Sequence, residues 1–510
     1  MKKLIIISLF IPFLLKAQEV VELKQAQAAK IVVKLMFKNG SIADPKGKEG
    51  LTRLTADLIT EGGTDKLSLS DINDLTYPMS ASCYSTVDKE VTVFTFAFHK
   101  DFEEKFYPIL KGLILTPGFK EEDFSRLKKN QQNYVDQVIK ASSDEDYGKV
   151  LLENMLFRGT RYAYPVAGNS SGVSNLTLDD VKQHYKKAFA RNNLMIGIAG
   201  NYSAAFLERL KTDLSVLPSE YAVTEVQKVQ EPQGINVEII AKENTLGSAI
   251  SAGFPLNITR ANDDFAALMV ANSYLGEHRK SYSLLYQKIR TARSMNYGDY
   301  TYIEWYNAGG QNMLPQPGYP RTSNYFSIWL RPVQTAFSLK KQYKELSDIK
   351  IGHAHFALRL ALREMDKLVD VGMSQQDFDL TREFLRSYIK LYIQTPEKQL
   401  GFLMDSRFYG RKNYISEMDN LLAKLTLADV NKAIRKYWQT KNMDIAIVTD
   451  NTEAQALAES LKSGSASPMS YSSDLKQTLP KDVLAEDEII AAYPFKVNSV
   501  SIINNADTFR

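Results

Sequence analysis

The chain has 510 residues, 44% of them hydrophobic and 24% charged, ordinary globular proportions that allow sizeable cores. At ~150 residues per domain this length predicts roughly three domains, within a range of two to four. Its 63 Lys and Arg against 59 Asp and Glu leave a net charge of +4, and without a basic stripe that excludes nucleic acid as the expected partner. A single cysteine, Cys83, excludes an intrachain disulfide, so the fold must rest on burial.

The N-terminus reads MKK, then LIIISLFIPFLL (4–15), then KAQE. A charged start, a short apolar run and a small residue before a cut predict a signal peptide over 1–18. The run is shorter than the ~20 residues that cross a bilayer comfortably. No cysteine stands at the cut to carry a lipid anchor. The mature protein is therefore expected to be exported, to the periplasm given the bacterial type of the signal, with no membrane span.

KIVVKLMF (30–37) and VTVFTFAF (91–98) are rich in β-branched and aromatic residues and predict strands. Between them GLTRLTADLITEGGT (50–64) predicts a helix over 50–61, with Leu51, Leu54, Leu58 and Ile59 as its buried stripe. Arg53 and Asp57 fall one turn apart and are expected to pair. Helical spacing returns at 103–113 and 121–139. VQKVQEPQG (226–234) is polar and carries the breakers Pro232 and Gly234, as a linker should. Beyond it SAISAGF, YFSIWLRPV and DIAIV predict strands, and 262–275, 281–291, 353–370 and 375–392 predict helices. YTYIEWY (300–306) alternates as a strand does, and NAGGQNMLPQPGYPR (307–321) is a long connector of a kind that often touches substrate or partner. A Ser-rich stretch (463–473) precedes a last strand, VNSVSII (497–503).

The chain also resembles itself. LTLDDVKQHYKKAFARNNLMIGIAGN (176–201) aligns without a gap to LTLADVNKAIRKYWQTKNMDIAIVTD (425–450). Thr177 with Asp180 and Thr426 with Asp429 form matching capping boxes, each opening a helix that turns into an apolar strand. GFKEEDF (118–124) and GMSQQDF (372–378) repeat in the same order. A period this long is a domain-scale duplication. The fold class expected is α+β: two homologous halves, 19–230 and 235–465, each of antiparallel strands with helices on one face, followed by a tail at 466–510.

Three segments carry a resemblance: NGSIADPKGKEGL (39–51), the LTLDDV…GN unit, and LLYQKIRTARSMNYG (284–298). Together they resemble the M16 zinc metallopeptidases, the insulinase and mitochondrial-processing-peptidase group. That resemblance implies a clamshell of two halves, each of two subdomains. In active members the first segment leads into His-x-x-Glu-His, where two His one turn apart bind zinc and the Glu is general base. Here Arg53 and Asp57 stand at the His positions and Ala56 at the Glu position. A guanidinium repels a metal and a methyl group moves no proton. A further ligand is expected near Val150–Glu153, and Glu153 alone could not restore the site. The resemblance therefore implies no metal in this chain.

IRTARSMNY matches the family's Arg-x6-Tyr element at Arg290 and Tyr297. In active members that pair works across a chamber from the zinc, so the resemblance implies a non-catalytic subunit. It would supply Arg290 and Tyr297 to a zinc-bearing M16-like partner acting on peptides. The alternative is an inactive peptide-binding or scaffold protein. Read without that frame, Arg290 is a surface charge and Tyr297 a half-buried aromatic. His353 and His355, two apart at a helix start, together with the isolated His99, His184 and His278, read as incidental, and Cys83 as a packed sheet residue.

Overall fold

The computed structural model describes residues 18–221, 223–277, 279–305 and 316–510. The signal segment (except Gln18), His278 and most of the 307–321 connector lie outside these residues. The first half forms β1 (Glu19–Lys24), β2 (Lys30–Phe37), α1 (Leu51–Glu61), β3 (Ser82–Val87), β4 (Thr92–His99) and β5 (Leu194–Gly200). The second forms β6 (Ile235–Lys242), β7 (Gly247–Leu256), β8 (Asp299–Tyr302), β9 (Asn324–Gln334) and β10 (Met443–Asp450), and the tail adds β11 (Ser499–Asn504). The first sheet runs β1-β5-β2-β4-β3 and the second β11-β6-β10-β7-β9-β8. Setting β11 aside, the two orders are the same, position for position.

The duplicated sequence unit explains that identity. Thr177 and Thr426 each accept from the backbone of the Asp three residues on, and each Asp side chain answers the Thr backbone. Both helices then lead to a central strand, β5 or β10. β2 pairs antiparallel with β4 and β5, with Ile31 opposite Phe98 and Phe37 opposite Leu194. Three pairings are parallel, against the antiparallel expectation: β1 with β5, β6 with β10, and β11 with β6. Strands so far apart in sequence reach one another only by long crossovers, which leave direction free.

Helices also cover both faces of each sheet rather than one. On β2, Ile31, Val33, Leu35 and Phe37 face the helices of their own half. Val32 and Met36 face the other way and pack with Leu400 and Met404 of the second-half helix Pro396–Phe408. The exchange is reciprocal. The first-half helix Asp144–Leu156 buries Tyr147, Leu151 and Leu152 against Ala446 and Val448 of β10 and Tyr325 of β9. Burial on both faces accounts for the apolar run of KIVVKLMF, interrupted inside by Lys34, whose Nζ donates to Thr95 Oγ1 at 3.0 Å. Gly197 of β5 marks how closely the exchanged helix approaches: a Cβ there would collide with Met404 Sδ and lie 3.2 Å from Leu400 Cδ1.

The tail returns to the first half after β11. Tyr147 Oη and Thr508 Oγ1 are 2.6 Å apart, and Ser170 N donates to Phe509 O at 2.9 Å. No helix among the described residues is long and apolar enough to cross a membrane.

Candidate functional site

α1 is positioned at its start by Asp44. Its carboxylate accepts from Gly50 N at 2.7 Å, Thr52 N at 2.8 Å and Thr52 Oγ1 at 2.6 Å, satisfying donors that the first turn leaves unpaired. Thr52 Oγ1 also meets His184 Nε2 at 2.9 Å. Leu51, Leu54, Leu58 and Ile59 are buried as the sequence stripe indicates.

The three positions read as a lost metal site lie on two faces of α1. Ala56 is fully buried in the core under the first sheet. Arg53 and Asp57 pair, Nε to Oδ2 at 2.6 Å, with side chains 45% and 15% exposed. Asp57 Oδ1 also accepts from Ser85 Oγ of edge strand β3 at 3.1 Å. Burial pushes the Asp57 pKa up, and the Arg53 charge offsets only part of that rise. Both carboxylate oxygens are thus engaged, and the neighbouring group is a cation. This donor set does not fit zinc, which takes about three protein ligands from His, Cys or carboxylate.

Glu153, in the region where a further ligand was expected, is buried and held by two cations. Lys89 Nζ lies 2.5 Å from Oε1 and Arg321 Nη1 lies 2.9 Å from Oε2. Arg321 closes the cluster by gripping Asp88 with Nε and Nη2, both at 2.6 Å. Burial alone would raise the Glu153 pKa, but Lys89 and Arg321 outweigh it and hold it below the ordinary value. Arg321 belongs to the second half, Glu153 to the helix Asp144–Leu156, and Asp88 and Lys89 to the β3–β4 turn. Among the described residues no three His, Cys, Asp or Glu cluster as metal ligands would.

Arg53, Tyr134, Lys149, Glu153, Trp305 and Arg321 line a cavity of about 380 Å³ between the halves. Tyr134 and Arg321 escape sequence reasoning. Tyr134 begins a π-helical turn after the helix Glu121–Asn133, and such a turn leaves no composition signal. Arg321 ends the long connector, which the sequence marks as a segment that often touches substrate or partner without singling out this residue.

Arg290 and Tyr297 come together, away from that cavity. Arg290 sits in a π-helical turn, Tyr286–Thr291, and its guanidinium carbon lies 5.0 Å from the centre of the Tyr297 ring. Tyr297 is 68% exposed. Below it, Asn296 Nδ2 donates to buried Asp299 at 2.7 Å and Asn296 Oδ1 accepts from Gly298 N, a turn that aims the tyrosine outward. Neither side chain of the pair forms a hydrogen bond or ion pair among the described residues. The adjacent Arg293 differs: it is buried, with Nε 2.7 Å from Asp487 and Nη2 3.0 Å from Glu486 on the helix Lys481–Ala491.

The remaining sequence candidates are structural. His353 Nε2 meets Ser470 O at 2.7 Å and His355 Nδ1 meets Ser460 Oγ at 2.8 Å. Burial takes their pKa values down to about 4 and about 3. Burial pushes the Cys83 thiol up to about 12, which keeps it unreactive.

Family models match the chain in two consecutive blocks. "Insulinase (Peptidase family M16)" covers 19–170 and "Peptidase M16 inactive domain" covers 175–385. The chain belongs to the M16 family. It is similar to the "Non-peptidase homolog YmxG" of Helicobacter pylori, 24% identical over 421 residues, covering 82% of this chain and 88% of that protein. It is also similar to the "Probable inactive metalloprotease YmfF" of Bacillus subtilis, 24% identical over 205 residues, 38% of this chain and 46% of the relative. Among solved structures, the peptidase M16 inactive domain from Pseudomonas fluorescens shares the fold, with a TM-score of 0.71 at 19% identity over 85% of this chain and 96% of that one. At the positions of the family's metal motif this M16 member carries Arg53, Ala56 and Asp57, and among the described residues no group of three potential ligands could hold a metal.

Proposed function

We propose that this M16 chain is the non-catalytic subunit of an exported heteromeric peptidase, presenting Arg290 and Tyr297 to a zinc-bearing M16-like partner. The observation that carries the reading is a division within the molecule. The α1 positions are closed by an ion pair, while Arg290 and Tyr297 stand stacked, outward and without other bonds. Zinc in the partner would supply Lewis-acid polarisation and an activated water. From this chain, the Tyr297 hydroxyl would donate to the scissile carbonyl oxygen as negative charge develops there. Arg290, with its guanidinium carbon 5.0 Å from the centre of that ring, would hold the peptide by a backbone carbonyl or carboxylate. The MKK start and the apolar run after it support export.

The test uses the reconstituted two-chain complex and a peptide pool. Tyr297→Phe is expected to lower kcat by roughly 10²–10³-fold, the usual cost of one oxyanion donor, and Arg290→Ala to raise KM. Unchanged turnover in both variants would leave the second reading, an inactive peptide-binding or scaffold protein. The names of two relatives, one non-peptidase and one inactive, fit both readings, since each makes this chain inactive alone. N-terminal sequencing of the secreted chain checks cleavage near Gln18.

A further inference from the structure

We propose that the cavity over α1 binds a monoanionic carboxylate with an apolar body, such as the free C-terminus of a peptide, through the two Nη atoms of Arg53. This goes beyond the subunit reading, since it needs neither a partner nor Arg290 and Tyr297.

The argument begins with the cations on the cavity wall. Lys149 Nζ is taken by Glu145 at 3.2 Å and Asp146 at 2.8 Å. Arg321 has all three nitrogens engaged, by Asp88 and Glu153. Arg53 differs. Asp57 holds its Nε alone, and among the described residues neither Nη donates a hydrogen bond. A guanidinium fixed at Nε by a carboxylate presents its two Nη donors as a planar fork, the geometry that matches a carboxylate in bidentate fashion. Tyr134 lines the same cavity, and its hydroxyl has no hydrogen-bond partner among the described residues.

The other walls select the kind of anion. Val87, Val150, Val166 and Ile139 give apolar surface. Asp88, Asp146 and Glu153 stand nearby as carboxylates, which disfavours a dianion such as phosphate and leaves a single negative charge acceptable. A volume of about 380 Å³ lies within the ~300–1,000 Å³ of small-ligand pockets. It suits one terminal residue and part of the next. The guanidinium that stands where the family's motif has a metal ligand would thus serve as a carboxylate receptor.

The experiment is calorimetric titration of the mature full-length chain with three probes: acetyl-Ala-Ala-Leu as the free acid, its C-terminal amide, and isovalerate. The free acid is expected to bind and the amide to bind at least roughly tenfold more weakly, because a charge-assisted pair is lost. Binding by isovalerate alone would assign the site to small acids rather than peptide termini and would overturn the peptide source. Arg53→Leu should abolish the preference for acid over amide, and Tyr134→Phe, at a half-exposed position, should weaken acid binding several-fold with folding intact. Equal binding of acid and amide by the unaltered chain, or no binding of any probe, overturns the proposal without needing a variant. Because the unaltered chain is tested alone, this result is independent of turnover by the two-chain complex.

Discussion

Replacing Arg321 with methionine tests whether the buried cluster joins the two halves. Arg321 is 1% exposed and makes three charge-assisted contacts, two to Asp88 and one to Glu153. Removing one partner of a buried ion pair costs about 3–5 kcal/mol, because the remaining charge stays desolvated. Here Glu153 keeps Lys89, so the uncompensated group is Asp88, which among the described residues has no other side-chain cation within ion-pair distance. Against a total stability of about 5–15 kcal/mol, that loss is large. Equilibrium urea unfolding followed by tryptophan fluorescence reads it directly, since Arg321 lies 4.5 Å over the Trp305 ring. Adding Asp88→Asn should recover part of the loss, so the double variant costs less than the sum of the singles. Acid sensitivity is a second readout. The Glu153 pKa is lowered in the folded chain, so its stabilisation is present above the unfolded value of ~4.3 and fades as pH falls through the folded value. Arg321→Met should move that acid limb to higher pH. A single variant within ~0.5 kcal/mol of the parent would refute the joining role.

Gly197→Ala should destabilise by about 1–3 kcal/mol through overpacking, and Met404→Ala should relieve it in a thermal melt; no shift would mean that the exchanged helix is not tightly seated. Asp299 is pushed up to about 8, chiefly by burial. Folded Asp299 therefore holds a proton that the unfolded chain releases above ~3.9, so it makes stability fall as pH rises toward 8. Asp299→Asn should flatten that part of the stability profile, and an unchanged slope counts against a protonated Asp299. Arg53→His with Asp57→His offers two zinc ligands where about three are needed, so metal analysis after dialysis should show well under one zinc per chain; stoichiometric zinc would overturn the account of α1.

Much of the scaffold was legible because local signals repeat. Two Thr-x-x-Asp boxes and two apolar strands fixed equivalent units in each half, and the α1 stripe was readable from Leu51 to Ile59. The helix exchange was not, because DEDYGKVLLENML has an amphipathic pattern that does not say whose sheet it covers. The cluster was missed for an electrostatic reason. Asp88, Lys89 and Glu90 form a charged turn that reads as solvated, and partners distant in sequence make burial there tolerable: Glu153 for Lys89, and Arg321, 233 residues away, for Asp88. Arg290 and Arg293 are three apart and chemically alike in sequence. One meets acids on a distant helix and the other an exposed ring, a distinction only tertiary structure supplies.

The traded helices constrain how such a chain could arise. A gene for one half alone would have made a polypeptide with a bare apolar sheet surface and an orphan helix, a defect two identical copies could cure by lending each other that helix. Tandem fusion of such a gene would remove the dependence on concentration and free the copies to diverge. One lobe would then be free to carry an Arg53–Asp57 pair on its helix while the other presents an outward tyrosine.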